Sequence, residues 1–366
     1  MPIFILTVSF LIYGALLTFL IAGIFRLPKK RWSEKVSVSV VTAARNEQKN
    51  IEAYAQAVLN QSYAQDKTEI IVVNDRSTDG TGEILNRLQQ TKKHLRVIHI
   101  ENRKSVKSPK KTALSRGIAN ATGDVIFTTD ADCLPPKNWL KNTVTLFNHD
   151  TGVVIGTAPF FEQTSTWSRV LALDNLSKAF VAAGAAGWNI GLTCTGRNLA
   201  YRKRVFEEVN GFSEIEHSLS GDDDLFLQTV MKRTSWKITY SLNPETAVPS
   251  AAPRDLKSYI KQKRRHVSAG KHYGLPQKTG YFLFDLTNLL LFSGVVATFF
   301  THTDWLAPVF LFLGKLLFDF FALSLVTNKL QKNHLLVYFP LWELFYVASQ
   351  TFIAPLGFLG KITWKN

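Results

Sequence analysis

Residues 124–132 read DVIFTTDAD and join a short apolar segment to a pair of aspartates. The apolar part, 124–127, is rich in residues that favour β-strands and is the right length for one buried strand. Asp130 and Asp132 follow it, separated by one residue. Hard divalent cations take oxygen ligands and commonly bridge a diphosphate. The stretch therefore predicts a strand that ends at a candidate Mg²⁺ or Mn²⁺ site, with two solvated surface aspartates as the alternative.

Strand-like and helix-like patterns alternate around this stretch. Strand patterns lie at 36–41, 69–73, 95–100 and 124–127, and helix patterns lie at 47–59, 78–88 and 110–119. Such alternation predicts an α/β domain with a mostly parallel, doubly wound sheet, which binds ligands beyond the carboxyl ends of its strands. Polar clusters follow three of these strands, at 45–47, 74–76 and 130–132. The first strand lacks a Gly-x-Gly-x-x-Gly and there is no P-loop lysine, so dehydrogenases and P-loop nucleotidases are disfavoured.

The N-terminus predicts a membrane span. The chain of 366 residues carries a net charge of +15, and 46% of it is hydrophobic. Residues 3–25 contain no charged side chain and are long enough to cross a bilayer core. Arg and Lys residues follow within 26–31, which places that flank in the cytoplasm. A signal peptide is the alternative, but the apolar run is too long for one and no small-residue cleavage site follows it.

The C-terminal third is apolar again. It predicts three further spans, at 281–301, 306–327 and 335–358. The last of these could instead be re-entrant or lie along the interface. Four ionisable residues fall inside the predicted spans, namely Asp285, Lys315, Asp319 and Glu343. Because Lys315 and Asp319 are four residues apart on one helix, structural pairing is the simpler interpretation, and handling of a substrate headgroup is the alternative.

Six short motifs occur in a fixed order along the predicted α/β domain. They are VTAARNE at 41–47, VNDRSTDGT at 73–81, KKTALSRG at 110–117, the Asp-x-Asp pair, GRNLAYR at 196–202 and SGDDDL at 220–225. In their order and spacing, the chain resembles family 2 glycosyltransferases over roughly residues 36–270. The resemblance implies a single-domain, Rossmann-like GT-A fold and a nucleotide-diphosphate sugar as the donor.

The resemblance also implies which side chains meet the donor. Asp75 would accept hydrogen bonds from the base or ribose, and Asp132 would hold Mg²⁺ or Mn²⁺, with Asp130 nearby on the ribose or the metal. The other candidate donor-binding residues are Ala43, Arg45, Glu47, Lys110 and Lys111. Structural alternatives stay open: a salt-bridged helix start for Arg45 and Glu47, a cap for Asp75, and a solvated helix face for the two lysines.

A transfer of this kind needs a base that removes a proton from the acceptor hydroxyl. Alignment on Leu225 puts Asp222 at the family's base position. Gly221 replaces the acidic residue that usually precedes the base, so Asp223 stays an alternative. A single base without a second nucleophile implies single displacement with inversion, a stereochemistry carried over from the family. An exposed acidic turn that caps the next helix is the structural alternative.

The acceptor or diphosphate end of the site is implied by two motifs. The candidate residues are Gly196, Asn198, Gln262, Arg265 and His266. The last three resemble the Gln-x-x-Arg-Trp motif of membrane-bound members, with histidine in place of tryptophan. A polybasic juxtamembrane segment that attracts anionic lipid is an alternative for 254–278, and nucleic-acid binding is disfavoured because the segment abuts a membrane span. The small-residue run 182–187 predicts a mobile acceptor loop.

The sequence thus predicts four parts. They are an N-terminal transmembrane helix at 1–26, a cytoplasmic GT-A domain at 27–253, a basic juxtamembrane segment at 254–279 and C-terminal transmembrane helices at 280–366. We expect a multi-pass protein of the cell (inner) membrane that moves a sugar from a nucleotide-diphosphate donor to a lipid or lipid-linked acceptor, with Mg²⁺ or Mn²⁺. A processive polysaccharide synthase is the alternative within this class, and a non-catalytic membrane scaffold is the alternative outside it. The predicted partners are the donor, a lipid or glycan acceptor and the bilayer, without nucleic acid.

Overall fold

The structure is a computed structural model that describes residues 3–28, 36–101, 108–161, 164–219, 221–301 and 305–358. It divides into two compact units. The helical unit comprises Met1–Arg26, Glu162–Ala185 and Ala252–Asn366, and the sheet unit comprises Leu27–Phe161 and Ala186–Ala251. The predicted juxtamembrane segment and the predicted N- and C-terminal spans thus belong to one unit, together with a central segment of the chain.

The regular elements alternate through the first half of the chain, as the sequence predicts. The α-helices are α1 Ile3–Arg26, α2 Ile51–Leu59, α3 Thr81–Thr91, α4 Pro109–Ala119, α5 Trp139–Val144, α6 Thr166–Ala186, α7 Lys203–Glu208, α8 Asp224–Arg233, α9 Leu256–Ala269, α10 Leu275–Thr301, α11 Leu306–Lys329 and α12 Phe339–Ala348. The strands are β1 Val38–Ala44, β2 Thr68–Asp75, β3 Leu95–Ile100, β4 Val125–Thr128, β5 Thr151–Gly156, β6 Leu199–Arg202 and β7 Lys237–Ser241. All four predicted strands and the three helices between them are confirmed, with bounds that differ by a few residues.

The sheet unit is built on one seven-stranded sheet with the order β3-β2-β1-β4-β6-β5-β7. Every pair is parallel except the two that involve β6, which runs antiparallel to β4 and β5. The predicted mostly parallel, GT-A-like sheet is therefore confirmed. Ala44 pairs with Asn74, and Val41 pairs with Thr128. Because these strands are parallel and in register, the loops that leave β1, β2 and β4 emerge at one edge of the sheet.

Among the residues that the structure describes, three helices of the helical unit are long and apolar enough to cross a membrane. They are Ile3–Arg26, Leu275–Thr298 and Leu306–Lys329. The third predicted C-terminal span, 335–358, does not form one long α-helix among the described residues. A 3₁₀ helix at Asn333–Tyr338 precedes α12, and a π-helical turn at Ser349–Ile353 and a 3₁₀ turn at Ala354–Phe358 follow it. Pro355 contributes to this break because it has no N–H to donate to the helix.

The prediction of a mobile loop at 182–187 is wrong for most of its length. Helix α6 continues through Ala186, and its Ala182, Ala183 and Ala185 are buried. The small side chains serve a close helix contact, since a Cβ atom on Gly184 would lie 2.6 Å from the carbonyl oxygen of Leu20 in α1. Small residues let helix backbones approach in this way.

A buried charge cluster joins three helices of the helical unit. The Lys315 ammonium lies 2.8 Å from Asp319 Oδ2, which confirms the predicted pairing, and it also pairs with Glu343 of α12. The Tyr13 hydroxyl of α1 donates a 2.6 Å hydrogen bond to Asp319. The side chains of Lys315, Asp319 and Glu343, which we call the lysine triad, are at most 6% exposed. Sequence spacing alone could not reveal that Glu343 belongs to the cluster.

Candidate active site

Two loops at the carboxyl edge of the sheet are tied together by hydrogen bonds. Asn46, in the left-handed region with φ of 56°, follows β1 and donates its N–H to Ser77 Oγ at 3.0 Å. Its side-chain oxygen accepts from the N–H of Thr78 at 2.8 Å, and the N–H of Glu47 donates to Thr81 Oγ1 at 2.8 Å. These bonds fix the loops that carry Arg45 and Asp75. The sequence motifs contained these loop residues but did not predict that they bond to one another.

Asp75 is the last residue of β2 and is 3% exposed. Arg76 follows it with φ of 54° and donates from Nε to Asp75 Oδ1 at 2.7 Å. The ion pair orients the carboxylate at the edge where the predicted nucleotide site lies. Ala43 and Arg45, at the end of β1, are half-buried and lie one strand away in the same sheet. The structure thus brings the predicted nucleotide-binding residues of β1 and β2 to adjacent strand ends.

Lys110 forms the centre of the site. It lies in the first turn of α4, and its ammonium is 2.9 Å from Asp130 Oδ1 and 2.8 Å from Asp222 Oδ2. We call Lys110, Asp130 and Asp222 the lysine bridge. Burial would lower the pKa of Lys110, but the carboxylates of Asp130, Asp222 and Asp223 outweigh burial and hold that pKa above its usual range. The lysine therefore stays charged and connects the predicted metal site to the predicted base.

Gly196 permits this arrangement. A Cβ atom built on it would lie 3.1 Å from Asp222 Oδ2, 3.3 Å from Lys110 Nζ and 3.5 Å from Asp223 Oδ2. A glycine therefore fits here without displacing any of these charged groups. Gly196 was predicted at the acceptor or diphosphate end, and the structure places it directly against the predicted base.

The three adjacent aspartates have different surroundings. Asp223 caps α8: one of its carboxylate oxygens accepts from Asp224 N–H at 2.8 Å, and the other accepts from Gly196 N–H at 2.8 Å. Asp224 accepts from Cys194 N–H at 2.6 Å. Burial, followed by the charges of Asp224 and Asp222, raises the pKa of Asp223 to about 7. Both carboxylate oxygens of Asp223 thus accept hydrogen bonds from backbone N–H groups, whereas the carboxylate of Asp222 contacts the Lys110 ammonium.

Gly221, the departure from the family pattern, has a local structural reason. Its φ is 87°, and a Cβ atom there would lie 2.6 Å from the side chain of Leu225. An acidic residue would be strained in this backbone conformation and would collide with Leu225. The glycine lets the chain turn sharply before Asp222 and so helps to set the direction of that side chain.

The side chain of Lys111, a predicted donor-binding residue, is held inside the protein. Lys111 is 2% exposed, and its ammonium donates to the carbonyl oxygens of Ile215 and Ser218 at 2.6 and 2.8 Å. Burial lowers the pKa of Lys111 to about 8. Lys111 therefore anchors the segment that precedes the acidic turn, whereas Lys110 lies in the site.

Asn198 is 3% exposed, and its amide joins three parts of the sheet unit. It donates to the carbonyl oxygens of Thr157 and Thr246 at 2.7 and 2.8 Å and accepts from the Trp139 indole at 2.9 Å. With both amide N–H groups and its oxygen used inside the core, this side chain is not presented to an acceptor. These hydrogen bonds make Asn198 a structural link within the sheet unit.

The Asp-x-Asp pair has the donor chemistry for a hard cation. Asp130 is half-buried and Asp132 is exposed, directly after β4. The neighbouring Cys133 is buried, and burial raises the pKa of its thiol above its usual range. Across the described part of the chain, no three His, Cys, Asp or Glu side chains form a metal cluster. Mg²⁺ is commonly bound by one or two carboxylates plus substrate phosphates, and this pair fits that pattern.

The residues of the Gln-x-x-Arg-His motif lie on α9 in the helical unit. Gln262 and Arg265 are half-buried, and His266 is exposed. Lys263, which the motif did not single out, is buried, and its ammonium donates to Gln350 Oε1 at 2.8 Å. Burial lowers the pKa of Lys263 to about 8. The inner face of α9 thus carries a buried cation that contacts the π-helical turn.

Comparison with known families covers most of the chain. The family described as "Glycosyl transferase family 2" matches residues 39–209. The family described as "Glycosyl transferase family group 2" matches residues 125–349 and so includes much of the helical unit. Between them the matches include β1 to β7 and every residue of the lysine bridge.

Individual relatives agree with these matches. The "Probable glycosyltransferase YdaM" of Bacillus subtilis (strain 168) is 26% identical over 380 residues, which is 92% of this chain and 87% of that protein. "Beta-monoglucosyldiacylglycerol synthase" of Synechocystis sp. is 27% identical over 214 residues, 57% of this chain and 42% of that protein.

A solved structure shares the fold. The mannosyltransferase PcManGT from Pyrobaculum calidifontis, in complex with GDP-Man and Mn²⁺, superposes with a TM-score of 0.56 at 18% identity. The superposition covers 93% of this chain and 99% of that one. At this level of identity, the likeness concerns the architecture only.

Proposed function

Because the chain belongs to glycosyltransferase family 2, we propose that it transfers a sugar from a nucleoside-diphosphate donor to a hydroxyl of a lipid or lipid-linked acceptor. The transfer is proposed to be metal-dependent and inverting, with Asp222 as the base. The lysine bridge is the observation that carries the proposal. At one edge of the sheet, the Lys110 ammonium lies 2.9 Å from Asp130, a predicted metal ligand, and 2.8 Å from Asp222, the predicted base. Lys110 itself is the cation proposed to meet the donor phosphates.

The donor half of the site is proposed to lie over β1, β2 and β4. Asp75, held by Arg76, would accept hydrogen bonds from the base or ribose, and Arg45 and Glu47 would frame the nucleotide. Asp130 and Asp132 would hold a divalent cation, which supplies Lewis-acid stabilisation of the leaving diphosphate. PcManGT, the fold neighbour, was solved with GDP-Man and Mn²⁺, which makes Mn²⁺ a reasonable first cation to test.

Asp222 is proposed to accept the proton of the acceptor hydroxyl. The acceptor oxygen then forms a bond to the anomeric carbon of the sugar, while the bond from that carbon to the diphosphate oxygen breaks and the diphosphate leaves with the electron pair. Asp223 and Asp224 accept hydrogen bonds from the N–H groups of Gly196 and Cys194. These bonds tie the acidic turn to that segment and so help to fix the position of Asp222. General-base catalysis of this kind contributes about 10²–10⁴-fold to the rate.

A membrane acceptor is supported by the helical unit. Three of its helices have the length and composition of membrane spans, and α9 carries five lysines and arginines on an amphipathic helix next to them. Such helices lie at membrane interfaces and are attracted by anionic lipid. The Synechocystis relative is named "Beta-monoglucosyldiacylglycerol synthase", so a diacylglycerol hydroxyl is the first acceptor to test. In this arrangement the sheet unit faces the cytoplasm, and Gln262, Arg265 and His266 remain the proposed acceptor-side residues.

The test is a donor screen with the full chain in lipid nanodiscs. UDP-glucose, UDP-N-acetylglucosamine and GDP-mannose would each be offered with Mg²⁺ or Mn²⁺ and diacylglycerol, and released nucleoside diphosphate would be measured. We expect metal-dependent release and a glycolipid product with one donor, lost in Asp132→Ala and Asp222→Asn. Asp66→Asn, an exposed carboxylate in the same unit, is the matched control and should retain activity.

The products distinguish the alternatives. A glycolipid that carries one added sugar supports the proposal, whereas a ladder of polymer lengths would assign the chain as a processive synthase. Failure of folded protein to bind any of the three nucleotide sugars, shown by calorimetry, would contradict the proposed donor site and favour a non-catalytic scaffold.

A further inference from the structure

The lysine bridge places a protein cation where the proposed metal and the proposed base both need access. Lys110 contacts Asp130, one of the two carboxylates available to a divalent cation, and Asp222, which must be free to take a proton. Neither function is compatible with an ammonium group that stays at both oxygens. A donor-bound state with a metal at Asp130 and a free base at Asp222 would therefore need the ammonium to move.

Charge and exposure favour an exchange of partners at this position. The Asp130 side chain is 33% exposed and the Lys110 side chain is 19% exposed, so a ligand can reach both from solvent. The Asp222 side chain is 9% exposed. A diphosphate brings several negative charges, and a lysine on a flexible four-carbon stem can turn toward them. A divalent cation that arrives with the diphosphate can then replace the ammonium at Asp130.

We propose that Lys110 is a resident counterion that keeps divalent cations away from Asp130 until a nucleoside diphosphate binds, and that its departure also frees Asp222. This inference rests on the proposed donor site and deepens it. It assigns an order to the cycle: the metal binds together with the diphosphate, and the base becomes available only once the donor is in place. An acceptor or a water molecule that enters before the donor finds the base occupied.

The neighbouring lysine provides a matched control. Lys111 carries the same charge on the same helix, but its ammonium is held by the carbonyl oxygens of Ile215 and Ser218. Removal of that charge changes the net charge of the region and leaves all three side chains of the lysine bridge in place. Lys111→Met therefore separates a general effect of charge from the specific contact that Lys110 makes.

The experiment measures Mn²⁺ affinity by electron paramagnetic resonance, with the full chain in nanodiscs and with or without UDP or GDP. In the unmodified protein, we expect weak binding of Mn²⁺ alone and much tighter binding with one nucleotide. In Lys110→Met, Mn²⁺ alone should bind more tightly than in the unmodified protein, by a factor in the range of about 5- to 150-fold that is typical of coupled sites. Lys110→Arg keeps the charge, so it should retain most of the difference between Mn²⁺ affinity with nucleotide and Mn²⁺ affinity without it.

Each outcome decides a different point. Equal affinity for Mn²⁺ alone in the unmodified protein and in Lys110→Met, with nucleotide-dependent binding intact, would overturn the counterion role and leave the proposed function standing. An equal gain in Lys111→Met would show that net charge, rather than the bridge, controls the metal, and would also overturn it. Absence of Mn²⁺ binding with either nucleotide in folded protein would overturn both this inference and the metal-dependent donor site.

Discussion

Two lysines in this chain are each held by two carboxylates, and the two clusters differ in what can reach them. The lysine triad, centred on Lys315, has side chains that are 0–6% exposed, and its partners come from packed helices of the helical unit. The lysine bridge, centred on Lys110, has side chains that are 9–33% exposed and lies at a sheet edge. The chemistry of the groups is the same. Accessibility therefore separates a cluster that stabilises a fold from one that can exchange a partner during a reaction.

The surroundings explain the difference. In the triad, the Tyr13 hydroxyl occupies a position on Asp319, and the Lys315 ammonium lies 5.6 Å from the ring centres of both Tyr13 and Phe312. Aromatic rings exclude solvent and stabilise the cation. In the bridge, a glycine lets the backbone approach the charged groups closely, since a Cβ atom on Gly196 would lie 3.1 Å from Asp222 Oδ2 and 3.3 Å from Lys110 Nζ.

Loss of the base carboxylate should give the largest effect. In Asp222→Asn, the residue cannot accept a proton, so the transfer rate should fall by about 10²–10⁴-fold while donor affinity changes little. Steady-state rates of glycolipid formation and calorimetry with the nucleoside diphosphate measure the two quantities. A fall of less than about tenfold would remove Asp222 from the role of base, and Asp223→Asn would then be compared under the same conditions.

Loss of the triad cation should act on stability instead. Lys315→Met leaves two carboxylates without their cation in a buried site, which costs about 3–5 kcal/mol of unfolding free energy. Thermal or denaturant unfolding in nanodiscs measures this change, and Lys329→Met, an exposed lysine at the end of α11, is the control. A variant in which Asp319 and Glu343 become leucine and Tyr13 becomes phenylalanine together with Lys315→Met should recover most of the loss. If Lys315→Met unfolds normally but abolishes transfer, the triad has a functional role and the comparison fails.

A methyl group at position 196 should crowd the lysine bridge and disturb its contacts. Gly196→Ala puts a Cβ atom 3.1 Å from Asp222 Oδ2 and 3.3 Å from Lys110 Nζ, so these groups must shift. Overpacking of this kind costs about 1–3 kcal/mol, which corresponds to a fall of roughly 5–150-fold in the transfer rate if it acts on the site. The control is Gly280→Ala, where a Cβ atom meets nothing within 4 Å. Equal rates in the two alanine variants would show that the close approach of the Gly196 backbone to Asp222 is not required.

The sequence predicted these regions unevenly, for physical reasons. Strand β3 was predicted at Leu95–Ile100 because its apolar residues stand between polar turns, and the loop residues of the site followed from strand ends and family motifs. The contact between Lys110 and Asp222 was not predicted, since it depends on how distant segments fold together. Asn198 was assigned to the acceptor because a motif records position along the chain and not the direction of a side chain. The third C-terminal span was predicted from hydropathy, which does not report where backbone hydrogen bonding changes from α to π or 3₁₀.

The pH dependence of stability should give the smallest effect. Asp223 has an ordinary pKa of 3.8, and burial raises it to about 7 in the folded protein. Between these values the folded state holds a proton that the unfolded chain has released, so the contribution of Asp223 to stability is present below pH 3.8 and is lost as pH rises through 7. Asp223→Asn cannot titrate and should remove this slope, which for a single group is at most about 1.4 kcal/mol per pH unit between the two pKa values. Scanning calorimetry at a series of pH values, with Asp66→Asn as the control, measures the difference. Parallel profiles for the unmodified protein and Asp223→Asn would mean that Asp223 is ionised in the folded protein. The acidic turn beside Lys110 would then carry one more negative charge.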